Sequence, residues 1–553
     1  MNSPDPSARS DERGLTRRQA IGGAAIGGAA LSLGTLTDGH LQAATAGANP
    51  TSAKPPSRPV RGGLPDPRKA LRRVDSLAEL DAVECAAALR ARLISSRELL
   101  RACRAQISRH ESEVDAWVRT YDERAKRLAK KADAKLRRAG RSAPLLTGIP
   151  IGFKDVFAIG GLPLTASSKV LAGHVAPGDS TVWRHLSEQG VVLMGHTQTG
   201  EFALHSNLVT NNPWRLTHTP GGSSGGSAAA LASRMVPLAT GSDTGGSLRV
   251  PASICGVSTL KPTFGLVSRH GVIPSAWSFD HVGPMARAAA DLSLLLAYMS
   301  SRDGHDPATF ARPRGVRYPL APRRGRRPLS GIRIGIPDQY FGGLEVAPGI
   351  NAVVRDFRRE LRSLGAKLVP FSAPRSPIDN IDSDTGFAFA KRVSGAEVLT
   401  FHSQFWPAQK DKYGTFAAAI LGLLEAENAT AFDYIEGQRQ RVELMSKWGA
   451  AFRNHRLDAI LQPGAMVETP TKEKADSDFA SYFSAVANPM VIWNYTGFPV
   501  LALPAGQSPK SGMPVGVQLA GPPDTEAKLL QIGIDCQAHF PHHRRKPPGI
   551  FPP

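Results

Sequence analysis

Between Thr219 and Pro251 the chain passes through two glycine-dense turns, Thr219-Pro-Gly-Gly-Ser-Ser-Gly-Gly-Ser-Ala-Ala-Ala230 and Gly241-Ser-Asp-Thr-Gly-Gly-Ser-Leu-Arg-Val-Pro251. Glycine reaches backbone conformations and close approaches that a Cβ blocks, so loops built this way suit places where N–H groups converge on a ligand. Each turn carries a serine directly after a glycine pair, Ser223 and Ser247, twenty-four residues apart.

Two ligand-binding patterns compete for these loops. A phosphate-binding P-loop ends in Gly-Lys-Ser/Thr, and neither turn does. Gly222, Ser224 and Gly226 match the Gly-x-Ser-x-Gly elbow of α/β-hydrolases, which keeps an esterase of that type open. That pattern is short, leaves the second turn unexplained and singles out no histidine or aspartate partner.

The rest of the chain reads as alternating strands and helices. Ser76-Leu-Ala-Glu79 and Ser95-Ser-Arg-Glu98 are capping boxes, each predicting a helix. Short apolar runs at Val191-Val-Leu-Met194, Ile332-Arg-Ile334, Pro499-Val-Leu-Ala-Leu503 and Val515-Gly-Val-Gln-Leu519 predict strands. Phe387 to Phe405, Phe416 to Phe452 and Thr525 to His539 have helical patterns. This alternation predicts an α/β architecture. The Pro/Arg-rich stretch 312–328 reads as a surface loop.

With 553 residues, 41% hydrophobic and 21% charged, the chain is long enough for one large domain or two closely packed ones. Its 67 Lys and Arg against 47 Asp and Glu leave a net charge of +20. The excess is spread over Arg124 to Arg141, Arg312 to Pro328 and His542 to Lys546, beside no zinc-finger or RNA-binding signature, so no nucleic-acid partner is expected. Cys85, Cys103, Cys255 and Cys536 form no Cys-x-x-Cys pair and no zinc-binding spacing, and neither metal nor cofactor is expected.

Thr16-Arg17-Arg18-Gln19-Ala20-Ile21 sets paired arginines before a weakly apolar Ala/Gly run from Ala20 to Leu33, and Ala44-Thr-Ala46 supplies a small-residue cleavage pattern. The segment resembles a twin-arginine export signal. Its apolar run is shorter than the ~20 residues that span a bilayer, so stable membrane insertion is not expected. The expected organisation is a signal over 1–46, a Pro/Gly/Ser-rich linker over 47–70 and an enzyme domain over 71–545, in an exported (periplasmic or secreted) protein.

From Ser76 to His539 the chain resembles the amidase-signature family. Gly148-Ile-Pro-Ile-Gly-Phe-Lys-Asp155 is similar to that family's lysine motif, the two Gly/Ser turns to its signature, and Ser278-Phe-Asp-His-Val-Gly-Pro284 to the segment that follows. Asn494-Tyr-Thr-Gly-Phe-Pro499 and Pro514-Val-Gly-Val-Gln-Leu519 are similar to its closing strands. The resemblance implies a central mixed β-sheet covered by helices on both faces. It also implies a triad of Lys154 as general base, Ser223 as a bridging serine held by a cis peptide, and Ser247 as the acylated nucleophile. Thr244, Gly245, Gly246 and Ser247 then align with the backbone donors of an oxyanion hole, while Asp243 and Arg249 are expected to fix the loop.

A lysine serves as base only when neutral, which its ordinary pKa of about 10.4 opposes and burial, worth up to about 3 to 5 pH units, favours. The implied activity is hydrolysis of a carboxylic amide, on a small molecule or a peptide, to the acid and ammonia or an amine. The rival inside the family is the glutaminase subunit of a tRNA-dependent amidotransferase. Against it, no Arg-rich segment lies around Ala390 to Tyr413, and Ala487 stands where an acidic glutamine ligand aligns. A non-catalytic protein that kept the fold is a third reading. Thr199, Trp214, Trp277, Phe405 and Trp493 are candidates for the acyl pocket, with core packing the alternative. Aliphatic amides, aryl amides, peptide carboxamides and some esters remain open, as does homodimerisation.

Overall fold

The apolar runs of the sequence become neighbouring strands of one sheet. In the computed structural model the described residues are 60–205, 209–313, 315–340, 345–375 and 391–551, all within one unit that runs from Ala44 to Pro553. The expected signal over 1–46, residues 47–59 of the expected linker and Phe387 to Ala390 lie outside them, as does the side chain of Ala487.

Thirteen strands are present among the described residues: β1 Val60–Arg61, β2 Trp117–Thr120, β3 Pro150–Lys154, β4 Val192–Thr197, β5 Leu238–Asp243, β6 Ser258–Lys261, β7 His281–Ala286, β8 Tyr318–Pro319, β9 Arg333–Pro337, β10 Lys367–Phe371, β11 Ala459–Pro463, β12 Val500–Gln507 and β13 Pro514–Ala520. Eleven form one sheet in the order β10-β9-β11-β13-β12-β6-β7-β5-β3-β4-β2. Its two flanks are parallel (β10, β9 and β11; β5, β3 and β4), and its centre from β11 through β7 to β5 is antiparallel. The sheet is mixed and flanked by helices. Every residue of β3, β4 and β5 is buried, which is why these strands read as near-continuous small or apolar runs rather than as an alternation.

Four expectations change. Ser76 opens only the 3-10 turn Leu77–Glu79; the helix Ala82–Arg90 starts later, where Glu84 Oε2 accepts from the Asp81 amide at 3.0 Å. Leu80 is extended, at φ -61° and ψ 137°, which ends the turn, and its carbonyl accepts from the Arg287 guanidinium at 2.6 Å. Ser95 and Glu98 form the second capping box as expected, at the head of the helix Ser96–Val114. Within 47–70, β1 pairs in parallel with β8 and Pro67 begins the helix Pro67–Arg73, so the folded body reaches back to Val60. The same pairing ties part of the 312–328 loop down. The helical pattern of Phe416 to Phe452 divides into Thr415–Glu427 and Ala431–Asn454, broken where Asn428 turns left-handed at φ 47°.

All four cysteines are buried and unbridged, with Cys85 pushed well up and Cys103 pushed up to about 12 by burial. No helix of the described residues is long and apolar enough to cross a membrane.

Candidate active site

Lys154 is the last residue of β3, one strand over from β5, with Gly152 registered against Ala239. Side chains on a strand alternate between faces, so Lys154 reaches across toward Thr240 and Ser242 of β5. Its amide donates to Thr240 Oγ1 at 3.3 Å, and its Nζ donates to Ser242 Oγ at 2.9 Å. Nζ also donates to Ser223 Oγ at 2.7 Å. Lys154 is wholly inaccessible to solvent. Burial pushes its pKa down from 10.5 to about 7, against the opposing pull of the Asp243 and Asp280 charges.

The first Gly/Ser turn lies at the head of the helix Gly225–Ala232, which packs on β3, β5 and β7. Ser227 Oγ holds this helix to the sheet, 2.7 Å from Thr197 Oγ1 on β4 and donating to the Thr240 carbonyl at 2.9 Å. Gly226 is required here: a Cβ would fall 2.5 Å from the Gln198 nitrogen and 2.6 Å from the Ala116 oxygen. The Gly222–Ser223 peptide is cis, as the family resemblance implies. The Ser223 carbonyl accepts from the Gly200 amide at 3.1 Å.

The second turn links β5 to the helix Arg249–Cys255. The Asp243 carboxylate organises it, accepting from the amides of Gly246 at 2.8 Å and Leu248 at 3.1 Å, from Arg249 through Nε and Nη2 at 2.9 Å each, and from Asn494 Nδ2 at 2.8 Å. Burial alone raises a carboxyl, yet the Arg249 charge and these hydrogen bonds hold Asp243 well below the usual carboxylate range. Arg249, equally buried, spends its remaining donors on the Met490 carbonyl, Gln518 and Asn494. Both residues therefore fix the loop, as expected. The two turns meet where the Ser224 amide donates to the Ser247 carbonyl at 3.2 Å.

Thr244, Gly245 and Ser247 are half-buried at this junction. The Thr244 hydroxyl donates to Asp280, whose carboxylate also accepts the amides of Ser275 and Ala276 at 3.0 and 3.1 Å. Gly246 departs from its expected part. Its N–H is committed to Asp243, so it is not a free donor for a substrate oxygen. Its contribution is conformational: φ is 121°, and a Cβ would stand 2.9 Å from Met490 Cβ.

Of the five candidate pocket residues, two belong to the core. The Trp214 indole donates to the Cys255 carbonyl at 2.9 Å, and that of Trp493 donates to Gln462 Oε1 at 2.7 Å while packing edge-on against Trp448. Thr199 is buried with its hydroxyl on the Gly200 carbonyl, Phe405 is half-buried in a cluster with Phe202 and Phe401, and Trp277 is exposed. Ser242 and Asp280 join the site from within the second Gly/Ser turn and the Ser278–Pro284 segment, although neither is singled out in the sequence. Period-two alternation from Thr240 points to the first; the second lies in a segment similar to the family's, but its partner Thr244 is 36 residues away in the chain. Among the described residues no group of three or more His, Cys, Asp or Glu side chains is arranged to hold a metal ion.

A buried lysine of lowered pKa thus donates to one serine, and a second serine stands in the adjoining glycine-pair loop. A family model described as Amidase matches residues 98–530, and the chain belongs to that family: it is an amide hydrolase of the amidase-signature type. Among its relatives, the glutamyl-tRNA(Gln) amidotransferase A subunit of Chloroflexus aggregans is 36% identical over 487 residues, covering 83% of this chain and 96% of that protein. The peptide amidase of Stenotrophomonas maltophilia has a similar structure, at 27% identity and a TM-score of 0.69 over 85% of this chain and 98% of that one. So has a 6-aminohexanoate cyclic dimer hydrolase, at 25% identity and a TM-score of 0.73 over 86% of this chain and 100% of that one.

Proposed function

We propose that the protein hydrolyses a carboxylic amide through an acyl-enzyme on Ser247. The observation that carries this reading is the 2.7 Å contact between buried Lys154 Nζ and Ser223 Oγ. A neutral amine keeps two N–H donors and one lone pair. Donating to Ser242, Lys154 can accept the Ser223 proton, and Ser223 that of Ser247 as its oxygen attacks the amide carbon. The same relay returns a proton to the leaving amine, and water then cleaves the ester by the reverse path. With the Gly246 amide occupied, the oxyanion is left to the amides of Thr244, Gly245 and Ser247.

Ser247→Ala is expected to abolish turnover of a panel of aliphatic, aryl and peptide amides while the fold persists, and a fluorophosphonate is expected to label Ser247 in the parent protein. Undiminished hydrolysis by the variant overturns the reading.

Identity with amidotransferase A subunits favours a second reading, a glutaminase working within a complex. Copurification with tRNA and a second polypeptide, together with hydrolysis restricted to glutamine, would establish it. The absence of an Arg-rich segment around Ala390 to Tyr413 and the alanine at 487 argue for the free amidase. Export through Arg17 and Arg18 belongs to the same proposal. Residues 1–46 fused to a reporter should export it, and paired Arg17→Lys and Arg18→Lys should retain it in the cytoplasm.

A further inference from the structure

Between β6 and β7 the stretch Ser275 to Asp280 has neither helix nor strand of its own, and Asp280 at its end is the residue that holds Thr244. It is fixed residue by residue from distant parts of the chain. Arg269, itself paired with Asp306, donates to the Trp277 carbonyl. Glu397 Oε2 accepts from the Ser278 amide at 2.9 Å. Arg441 lays its guanidinium 4.5 Å from the centre of the Phe279 ring and donates through Nε to the Tyr495 carbonyl at 2.6 Å.

Glu397 is the one of these that packing alone would not select. It belongs to the helix Ala396–His402 and is buried, and a carboxyl group taken out of water is costly unless its oxygens are hydrogen-bonded. Both oxygens are. Oε1 accepts from the Tyr434 hydroxyl at 2.8 Å, and that hydroxyl in turn accepts from Gln438 Nε2 at 3.0 Å. Tyr434, Gln438 and Arg441 stand at i, i+4 and i+7 on the helix Ala431–Asn454, so one face of that helix backs the whole stretch. An apolar side chain would fill the place of Glu397 without the cost of burial. What it could not do is accept the Ser278 amide, two residues before Asp280.

We propose that Glu397 is a positioning residue for the hydrolysis, a role that rests on the acyl-enzyme reading above. By fixing Ser278 it sets Asp280 and, through the Thr244 hydroxyl, the Thr244 amide at the place where the oxyanion develops. Donor placement matters most as negative charge builds on the substrate oxygen. Loss of Glu397 therefore falls on kcat and leaves KM, set by ground-state binding when chemistry is slow, in place.

Two measurements on the full chain test this: steady-state kinetics with the best amide of the panel, and the rate and extent of Ser247 labelling by a fluorophosphonate. Glu397→Ala should lower kcat by about tenfold to a hundredfold, the scale of a small misplacement of a catalytic group, with KM within about twofold of the parent. Labelling should slow by a similar factor yet still reach one label per chain, which separates a misplaced loop from a partly unfolded population. Glu397→Gln, whose side-chain carbonyl can still accept from Ser278, should recover most of the loss. Tyr434→Phe, which removes one hydroxyl and little volume, should lie between the two. An unchanged kcat in Glu397→Ala, or in Tyr434→Phe should the alanine variant not fold, overturns the proposal. So does a rise in KM in place of the fall in kcat, labelling that is incomplete rather than slow, or a glutamine variant no better than the alanine one. Turnover retained by Ser247→Ala would instead sink the acyl-enzyme reading itself.

Discussion

Lys154 Nζ lies 2.7 Å from Ser223 Oγ, and both residues are buried. One residue at the end of β3 is thereby both a cost to the fold and the source of a base, and the two consequences are measured differently.

The first is kinetic. With its pKa pushed down to about 7, Lys154 is protonated and unable to accept a proton at lower pH, and free to do so above. The kcat/KM for an amide should rise about tenfold per pH unit on the acid side and level off above roughly pH 7. Lys154→Ala should lose on the order of 10²-fold or more, the usual scale for a general base. A flat profile from pH 5 to about 9, near an ordinary lysine's range, would remove Lys154 from that role.

The second is thermodynamic. The folded pKa of about 7 lies below the unfolded value of 10.5, so between those limits the unfolded chain binds more protons than the native one. This group makes stability rise with pH across that window and adds no pH dependence below it, where both states are protonated. Denaturant unfolding of Lys154→Met against the parent should show the variant's relative advantage greatest below about pH 7 and shrinking toward pH 10. A difference that does not vary with pH rules out a depressed lysine.

Asp243→Asn tests the loop's foundation. It leaves the Arg249 guanidinium fully buried without its carboxylate, and breaking such a pair costs about 3–5 kcal/mol. Chemical denaturation should show a loss of that order, with activity falling as one of the Gly246 and Leu248 amides, which bond to different Asp243 oxygens, meets an NH2 group in place of its acceptor. A change under about 1 kcal/mol would mean that the loop is held by other contacts.

The glycine pair separates two roles. Gly246→Ala has to place a Cβ 2.9 Å from Met490 Cβ at φ 121°, whereas a Cβ on Gly245 meets nothing within 4 Å. Thermal melting should therefore show Gly246→Ala destabilised and Gly245→Ala close to the parent. Equal melting temperatures would contradict that packing.

Much of the site is legible in the chain because its chemistry is written in local motifs. Glycine patterns and their spacing draw attention to Ser223 and Ser247, the resemblance to the amidase-signature family adds Lys154, and the structure brings Lys154 and Ser223 into contact and the two serine loops together. What stays hidden depends on residues far apart in the chain. Ser76 reads as a helix cap but opens only a 3-10 turn that ends at extended Leu80, whose carbonyl accepts from distant Arg287, and Gly246 reads as a donor until Asp243 takes its amide. Trp214 and Trp493 look like pocket residues until their indoles find core acceptors.

The α/β architecture and the two Gly/Ser turns with their serines are present in the order of the residues, because helix and strand periodicity and glycine geometry act over a few neighbours, and the family resemblance adds the lysine. The lysine's lowered pKa and the partners that use up the loop's donors arise with the packing of the folded chain. Each depends on which surfaces distant segments bury together, and desolvation is a property of the packed whole.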